Sequence, residues 1–343
     1  LSSSIRKNRA KLPPLKDAYP SDFTEQLQEF IPHLSIATFI GGEPLLIKKY
    51  YEIWEKIIAA NPSCKIHLQT NATYLPEKFL NLLNSKQFDV GISMEGCTKE
   101  TFEKIRVRGN FETVNENIKK LNALKNKGIV YLNINFCPLT LNWKEVPLMV
   151  NYANNLKISL KLLNVETPRN LALKNKNAHY LNTVFQFLKN YKFEETENNF
   201  ITTRNNEAYQ FFVKTIQSYI IEAKKRDDFF NRHVHHTIAD FKKIITEDFL
   251  LSNVFNYLSK EQNIFYAEKI AQFITDKTND EIVLQKTLMR FSYFFKEIMN
   301  EEDSFKNIEK SFYKLQKIAA EFFELENEEM KEINSKSSNL SYV

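Results

Sequence analysis

The chain has 343 residues, 43% of them hydrophobic, with a formal net charge of +5. That length holds one large domain or two ordinary ones with ample core, and no apolar run approaches a membrane span. Lysine and glutamate alternate along most of the sequence, so the small positive excess reads as solvated helix faces and argues against a nucleic-acid partner.

The chain opens on Leu1 with no charged, apolar and small-residue leader, which suggests that its beginning is missing. Residues 1–20 are basic and proline-bearing and read as an irregular connection. Asp22–Phe30 reads as a helix with Ser21 as its N-cap. The apolar run Ile36–Ile40 then reads as a strand that ends in Gly41, Gly42, Glu43 and Pro44. The spacing of Leu46, Tyr50, Ile53, Trp54 and Ile57 predicts a helix over Leu46–Ala60. Paired glycines admit close backbone approach, and a proline suits the first helical turn. Glu43 is thus expected at a strand mouth beside exposed helix amides.

Further strands are predicted at Lys65–Gln69, Val90–Met94, Val130–Phe136 and Ser159–Leu163. The helices between them fall at about Pro76–Ser85, Phe111–Lys127 and Lys144–Asn155. Strands separated by single helices imply right-handed βαβ units and a parallel sheet, in an open α/β fold or part of a barrel, with the functional face at the strands' C-terminal ends. A helix before the first strand, in a chain lacking its start, suggests one further strand upstream.

All six glycines lie between Gly41 and Gly128, all ten prolines at or before Pro168, and twenty of the 28 phenylalanines after it. The composition therefore divides the chain into domains 1–168 and 169–343. The second reads as helical throughout, at His179–Tyr191, Glu207–Lys225, His236–Ile245, Phe249–Leu258, Phe265–Ile274, Asp280–Met299 and Phe305–Glu324, with aromatic spacing suited to a bundle core. From about residue 326 the charged, then Ser/Asn-rich tail is expected to fray. His233-Val234-His235-His236 lacks a nearby acidic or cysteine ligand and reads as a polar helix start in preference to a zinc site.

Cys64, Cys97 and Cys137 are widely spaced. They make no cluster motif and no even-numbered disulfide set, which fits a reducing, cytoplasmic compartment. Cys97 and Cys137 follow predicted strands and are expected to be buried structural thiols.

Polar groups gather at the successive strand ends. Thr70-Asn71-Ala72-Thr73 follows the second, Ser93-Met94-Glu95-Gly96 the third, and a loop with Arg106 and Arg108 lies beyond. Asn133 and Asn135 alternate with apolar residues on the fourth strand, so both amides share a face; Asn142 follows. Together these suit a zwitterionic, ribose-bearing ligand: carboxylate for an amine, arginine for a carboxylate, amides and hydroxyls for sugar oxygens.

The order of these motifs resembles the radical S-adenosylmethionine enzymes: Gly-Gly-Glu-Pro, Thr-Asn, Ser-x-Glu-Gly, then Arg106, Gly109, Phe111, Val114, Asn117 and Ile118 at that family's spacing. The likeness covers roughly residues 20–168, and Pro168 with Leu171–Leu173 is similar to members carrying a SPASM or twitch extension. It implies a partial (β/α)6 TIM-like barrel followed by an all-helical region. Gly41, Gly42 and Glu43, with Pro44, would hold the methionyl amine of S-adenosylmethionine. Ser93 and Glu95 would meet the ribose, Thr70 and Asn71 would line the site, Arg106 or Arg108 would take the carboxylate, and Asn135 the adenosine part. The family's Cys-x3-Cys-x2-Cys loop for a [4Fe–4S] cluster is absent and is expected upstream of Leu1; as given, the chain has no metal ligands of its own and is expected to be inactive alone. The C-terminal half has no cysteines for an auxiliary cluster.

The resemblance implies reductive cleavage of S-adenosylmethionine, with electrons from a flavodoxin or ferredoxin, and hydrogen abstraction from a substrate for which a peptide is one candidate. The alternatives are a degenerate binding protein of the same fold, and a phosphate site at Gly41-Gly42 that leaves Glu43 unexplained because a carboxylate repels phosphate.

Overall fold

The structure, a computed structural model, describes residues 20, 22–125, 127–193, 199–251, 258–299 and 308–340. Five strands form one sheet: β1 (Ile36–Phe39), β2 (Lys65–Thr70), β3 (Phe88–Ser93), β4 (Ile129–Phe136) and β5 (Ser159–Leu162). Their order is β1-β2-β3-β4-β5 and every neighbouring pair is parallel. Each crossover therefore advances one strand in the same direction. A doubly wound sheet reverses at a switch point; this winding is that of a β/α barrel segment, the α/β class read from the sequence.

A short helix, α1 (Phe23–Gln26), precedes the sheet. Its N-cap is Asp22, which makes no side-chain cap bond; the expected Ser21 cap falls outside the described residues. Between the strands lie α2 (Lys48–Ala60), α3 (Glu77–Leu82), then α4 (Lys99–Ile105) and α5 (Phe111–Ala123), and finally α6 (Val146–Asn155). Single 3-10 turns at Pro44–Leu46, Leu83–Ser85 and Trp143–Glu145 account for the longer helical stretches expected there. Helix α4 was not anticipated, because seven residues give too little periodicity. Its start is fixed locally, by the Thr98 side chain accepting from the Thr101 amide.

Alternation along the strands separates two chemistries. Ile66, Leu68, Val90, Ile92, Leu132 and Ile134 are at most 1% exposed. On this side the Trp54 ring of α2 lies 4.8–6.0 Å from the rings of Phe39, Tyr51, Phe79 and Phe88. The opposite side carries His67, Gln69, Asp89, Ser93, Asn133 and Asn135, paired across the strands by the register. A barrel interior is ordinarily filled with branched apolar side chains, so this polar face marks where the sheet does something besides pack.

By internal contacts the chain forms two compact units, 1–164 with 186–214, and 165–185 with 215–343. Segment 186–214, with parts of α7 (Ala178–Lys189) and α8 (Phe200–His233), completes the first unit at the β5 edge. There Asn205, fully buried, accepts from the Leu160 amide at 2.8 Å and donates to the Ile158 carbonyl at 2.9 Å. Its carboxamide does what a sixth strand's backbone would do, and so ends the ladder.

The second unit contains α9 (Ile238–Leu251), α10 (Lys260–Thr275), α11 (Glu281–Met299) and α12 (Ile308–Leu340). Its core includes Phe241, Phe249, Phe291, Phe295 and Phe322. Where two helices were expected over 236–258, one described helix runs to Leu251; residues 252–257, and Phe305 with its neighbours, lie outside the described set. Helix α12 continues past residue 326, the expected start of a fraying tail. Leu325 is fully buried, and Glu326 pairs with Arg290, which also donates to the Asn175 carbonyl at 3.2 Å. The histidine run begins at the end of a helix, not its start. His233 is the last residue of α8, its Nδ1 2.7 Å from the Phe229 carbonyl and its ring 4.7 Å from that of His236.

Candidate functional site

The loop after β1 turns on Gly41 (φ 92°) and Gly42 (φ 58°), conformations that side-chain-bearing residues rarely adopt, and no atom approaches where a Cβ would stand on either. The turn presents Glu43, only 8% exposed, as the cap of the Pro44–Leu46 turn. Its Oε1 accepts from the Leu45 amide at 3.2 Å and the Thr70 hydroxyl at 2.7 Å; its Oε2 accepts from the Asn71 amide at 2.8 Å. Three of the carboxylate's roughly four acceptor positions are thus filled by the β1 and β2 termini. Tyr51 on α2 steadies the loop by donating to the Leu45 carbonyl at 2.9 Å, and burial, then Tyr74 and Glu43, push its phenol up to about 12.

At the end of β3, Glu95 is gripped by Arg106 through two side-chain bonds, one of them 2.6 Å from Nη2. Burial works against the Arg106 charge, but Glu95, with Cys137 and Glu43 behind it, outweighs that and holds the guanidinium above its ordinary pKa. The two groups read from sequence as separate ligand contacts are thus bound first to each other. Arg108 stands in the same loop, exposed and left-handed at φ 69°.

The rest of the Arg-x-x-Gly-x-Phe-x-x-Val-x-x-Asn-Ile motif has structural work to do. A Cβ on Gly109 would stand 2.9 Å from the Arg106 carbonyl oxygen and 3.0 Å from the Phe102 ring. Phe111 packs on Phe102 at 5.8 Å, Val114 and Ile118 are fully buried, and Asn117 donates to the Ala72 carbonyl at 2.9 Å. That last bond holds the left-handed turn at Ala72 (φ 54°) just past Asn71.

Ser93 and Asn135 are joined through a residue that sequence reading missed. Gln69 donates to the Ser93 hydroxyl at 2.7 Å and accepts from Asn135, which in turn accepts from Asn133 at 2.7 Å. The signal was there: Gln69 is a polar residue at an inward position of β2, opposite Gly91 in the register. Glu145 and Asn142 were likewise undervalued. Asn142 donates to the Glu95 carbonyl at 2.8 Å and the Cys137 carbonyl at 3.1 Å, tying β3 to β4. Burial pushes Glu145 up, but bonds from Thr101, Thr98 and Cys97 outweigh it and hold the carboxyl below its ordinary value. Burial, then Glu145, raises the Cys97 thiol; burial and Glu95 push Cys137 up to about 11, with Arg106 opposing. Both are poor thiolates.

Residues 8–153 match the family model described as the Radical SAM superfamily. That match takes in a little under half of the chain. A "Probable GTP 3′,8-cyclase" of Methanococcus maripaludis is 31% identical over 125 residues, 36% of this chain and 40% of the relative. A "Cysteine-type anaerobic sulfatase-maturating enzyme" of Clostridium novyi is 33% identical over 96 residues, 25% of each chain. An "Uncharacterized protein" of Archaeoglobus fulgidus is 31% identical over 126 residues, 37% of this chain and 28% of the relative. The chain thus spans between a quarter and two-fifths of the length of these curated relatives. Among solved structures, a His-tagged anSMEcpe with bound AdoMet is similar over 95% of this chain and 89% of its own, at 16% identity and a TM-score of 0.41. Streptococcus suis SuiB bound to S-adenosylmethionine covers 57% and 47%, at 16% identity and a TM-score of 0.39.

Among the described residues, no three His, Cys, Asp or Glu side chains gather where they could hold a metal, and no helix is long and apolar enough to cross a membrane.

Proposed function

We propose that the C-terminal rim of the sheet binds S-adenosylmethionine, as part of an enzyme that cleaves it reductively and abstracts hydrogen from a further substrate. The observation that carries this reading is the setting of Glu43: a carboxylate oriented by three hydrogen bonds at the mouth of two strands, beside an open Gly41-Gly42 turn. Its fourth acceptor position suits the methionyl amine, with Pro44 fixing the turn and Thr70 and Asn71 holding the carboxylate in place. Ser93 and the Glu95–Arg106 pair supply a hydroxyl and a balanced ionic surface for the ribose and carboxylate. Arg108, being exposed, is the more available second cation for that carboxylate. Asn135 serves the adenosine side through the amide chain it belongs to.

The residues of this rim fit that ligand. They do not fit a [4Fe–4S] cluster: Cys64, Cys97 and Cys137 are widely spaced, and among the described residues no three His, Cys, Asp or Glu side chains gather where they could hold a metal. The same observation favours, as a second reading, a member of the fold that holds the cofactor and does no chemistry. Anaerobic reconstitution of the whole protein separates the two, since only the enzyme yields 5′-deoxyadenosine and methionine when given a chemical reductant in place of a ferredoxin or flavodoxin. Because one relative is named a GTP cyclase and another sulfatase-maturating, that assay includes GTP and a cysteine peptide as candidate substrates.

Calorimetry on this chain tests the binding itself. S-adenosylmethionine should bind, ATP should not, and Glu43→Gln should weaken binding about tenfold or more by removing a charge-assisted bond to the amine. Equal binding of ATP, or an unaffected Glu43→Gln, would overturn the reading.

A further inference from the structure

On the cofactor-binding reading above, we infer that Gln69 is a positioning residue, which sets the direction of a hydrogen-bond chain and so presents the Ser93 hydroxyl to the ligand as a donor. The chain crosses three strands. Asn133 Nδ2 donates to Asn135 Oδ1, Asn135 Nδ2 donates to Gln69 Oε1, and Gln69 Nε2 donates to Ser93 Oγ. Each amide's orientation is dictated by its neighbour, because turning one alone would set two N–H groups or two carbonyls face to face. Ser93 stands at the downstream end. Its oxygen already accepts from Gln69, so its own proton is left to point outward, at an acceptor oxygen of whatever lies at the rim.

That polarity matters because the rim's two carboxylates, Glu43 and Glu95, offer acceptors only. A ribose-bearing ligand has acceptor oxygens as well as donors, and Ser93 supplies a neutral donor among these groups. Upstream the chain begins at Asn133, fully buried, whose Oδ1 has no partner. The space for the central link comes from Gly91. A Cβ there would lie 2.4 Å from Gln69 Oε1 and 3.3 Å from Asn135 Nδ2. The glycine is needed for the amide pair, since its backbone takes no positive φ.

Gln69→Glu is the direct test, being nearly isosteric and unable to donate. Ser93 must then turn its proton inward to the new carboxylate. S-adenosylmethionine and S-adenosylhomocysteine binding to this chain, read by calorimetry, should weaken about five- to tenfold, the loss of one hydrogen bond. Gly91→Ala reaches the same end by another route, pushing the Gln69 amide aside without touching Ser93, and should weaken binding similarly. In a Ser93→Ala background neither substitution should add to the loss, because both act through that hydroxyl; a purely structural role would give additive losses. Unchanged affinity in Gln69→Glu and Gly91→Ala, which the reverse polarity of the chain would produce, overturns the inference and leaves the cofactor site standing. Additive losses also overturn it. No binding by the native chain overturns the cofactor reading and takes this inference with it.

Discussion

Glu145 does for the turn after β3 what Glu43 does for the turn after β1: a buried carboxylate gathers the amides and hydroxyls that a tight turn leaves without partners. It accepts from the Cys97 amide at 2.7 Å, from the Thr98 amide at 3.4 Å and from the Thr98 hydroxyl. Its folded pKa lies below the ordinary 4.5. The sign of the pH dependence follows: the stabilisation is fully present above the unfolded value and is lost as pH falls through the lower folded one. Glu145→Gln keeps the shape but replaces one acceptor oxygen with a donor, so one turn amide or hydroxyl loses its partner. The expected cost at pH 7 is ~1–3 kcal/mol, narrowing as the pH drops below the ordinary carboxylate range. Both tryptophans, Trp54 and Trp143, belong to the first unit, so their fluorescence in urea reads that unit alone. A cost that stays the same between pH 7 and acid would show that the carboxylate's charge contributes nothing.

At the scale of elements, the sheet was legible because its physics is local. Apolar parity in Lys65–Thr70 and Ile129–Phe136 marks strands, and a glycine pair with proline marks the turn that positions Glu43. At the rim the structure joins Glu43 to Thr70 and Asn71 by hydrogen bonds. What stayed hidden depends on partners distant in sequence. Gln69 gains meaning only from Gly91 and Asn135 across the register, and the Glu95–Arg106 pairing was not visible because each side chain alone suits a ligand. Asn205 is the extreme case, an unremarked polar residue in a helix that closes the β5 edge. Leucine at 205 would leave the Leu160 amide and Ile158 carbonyl without partners in a buried setting, at ~1–3 kcal/mol for each group. Hydrogen exchange at the Leu160 amide should then accelerate with the fall in stability. Native protection of that amide in Asn205→Leu would mean that the edge is closed by something else.

For the whole molecule, composition and contacts divide the chain differently. Glycine and proline stop at Pro168 because turns between strands need them and long helices do not, so composition marks where the β/α pattern ends. It cannot mark where the first unit ends, since segment 186–214 belongs to that unit through side chains at the end of α7 and along the first part of α8. Besides Asn205, Tyr209 is 2% exposed and donates to the Leu188 carbonyl at 2.6 Å, and Phe187 packs on Trp143 at 5.3 Å. A fragment ending at residue 168 lacks all of these and exposes the β5 edge, a template for pairing with other chains. A fragment ending at 214 keeps them. The longer fragment should therefore stay monomeric in sedimentation and retain the tryptophan emission of the full chain, while the shorter one should aggregate or unfold at lower urea. Asn205→Leu in the longer fragment should move it toward the shorter one's behaviour, because it removes the edge closure while keeping the added length. If the 168 fragment proves as soluble and as stable as the 214 fragment, then the sheet is self-sufficient and the helical return is only an addition to it.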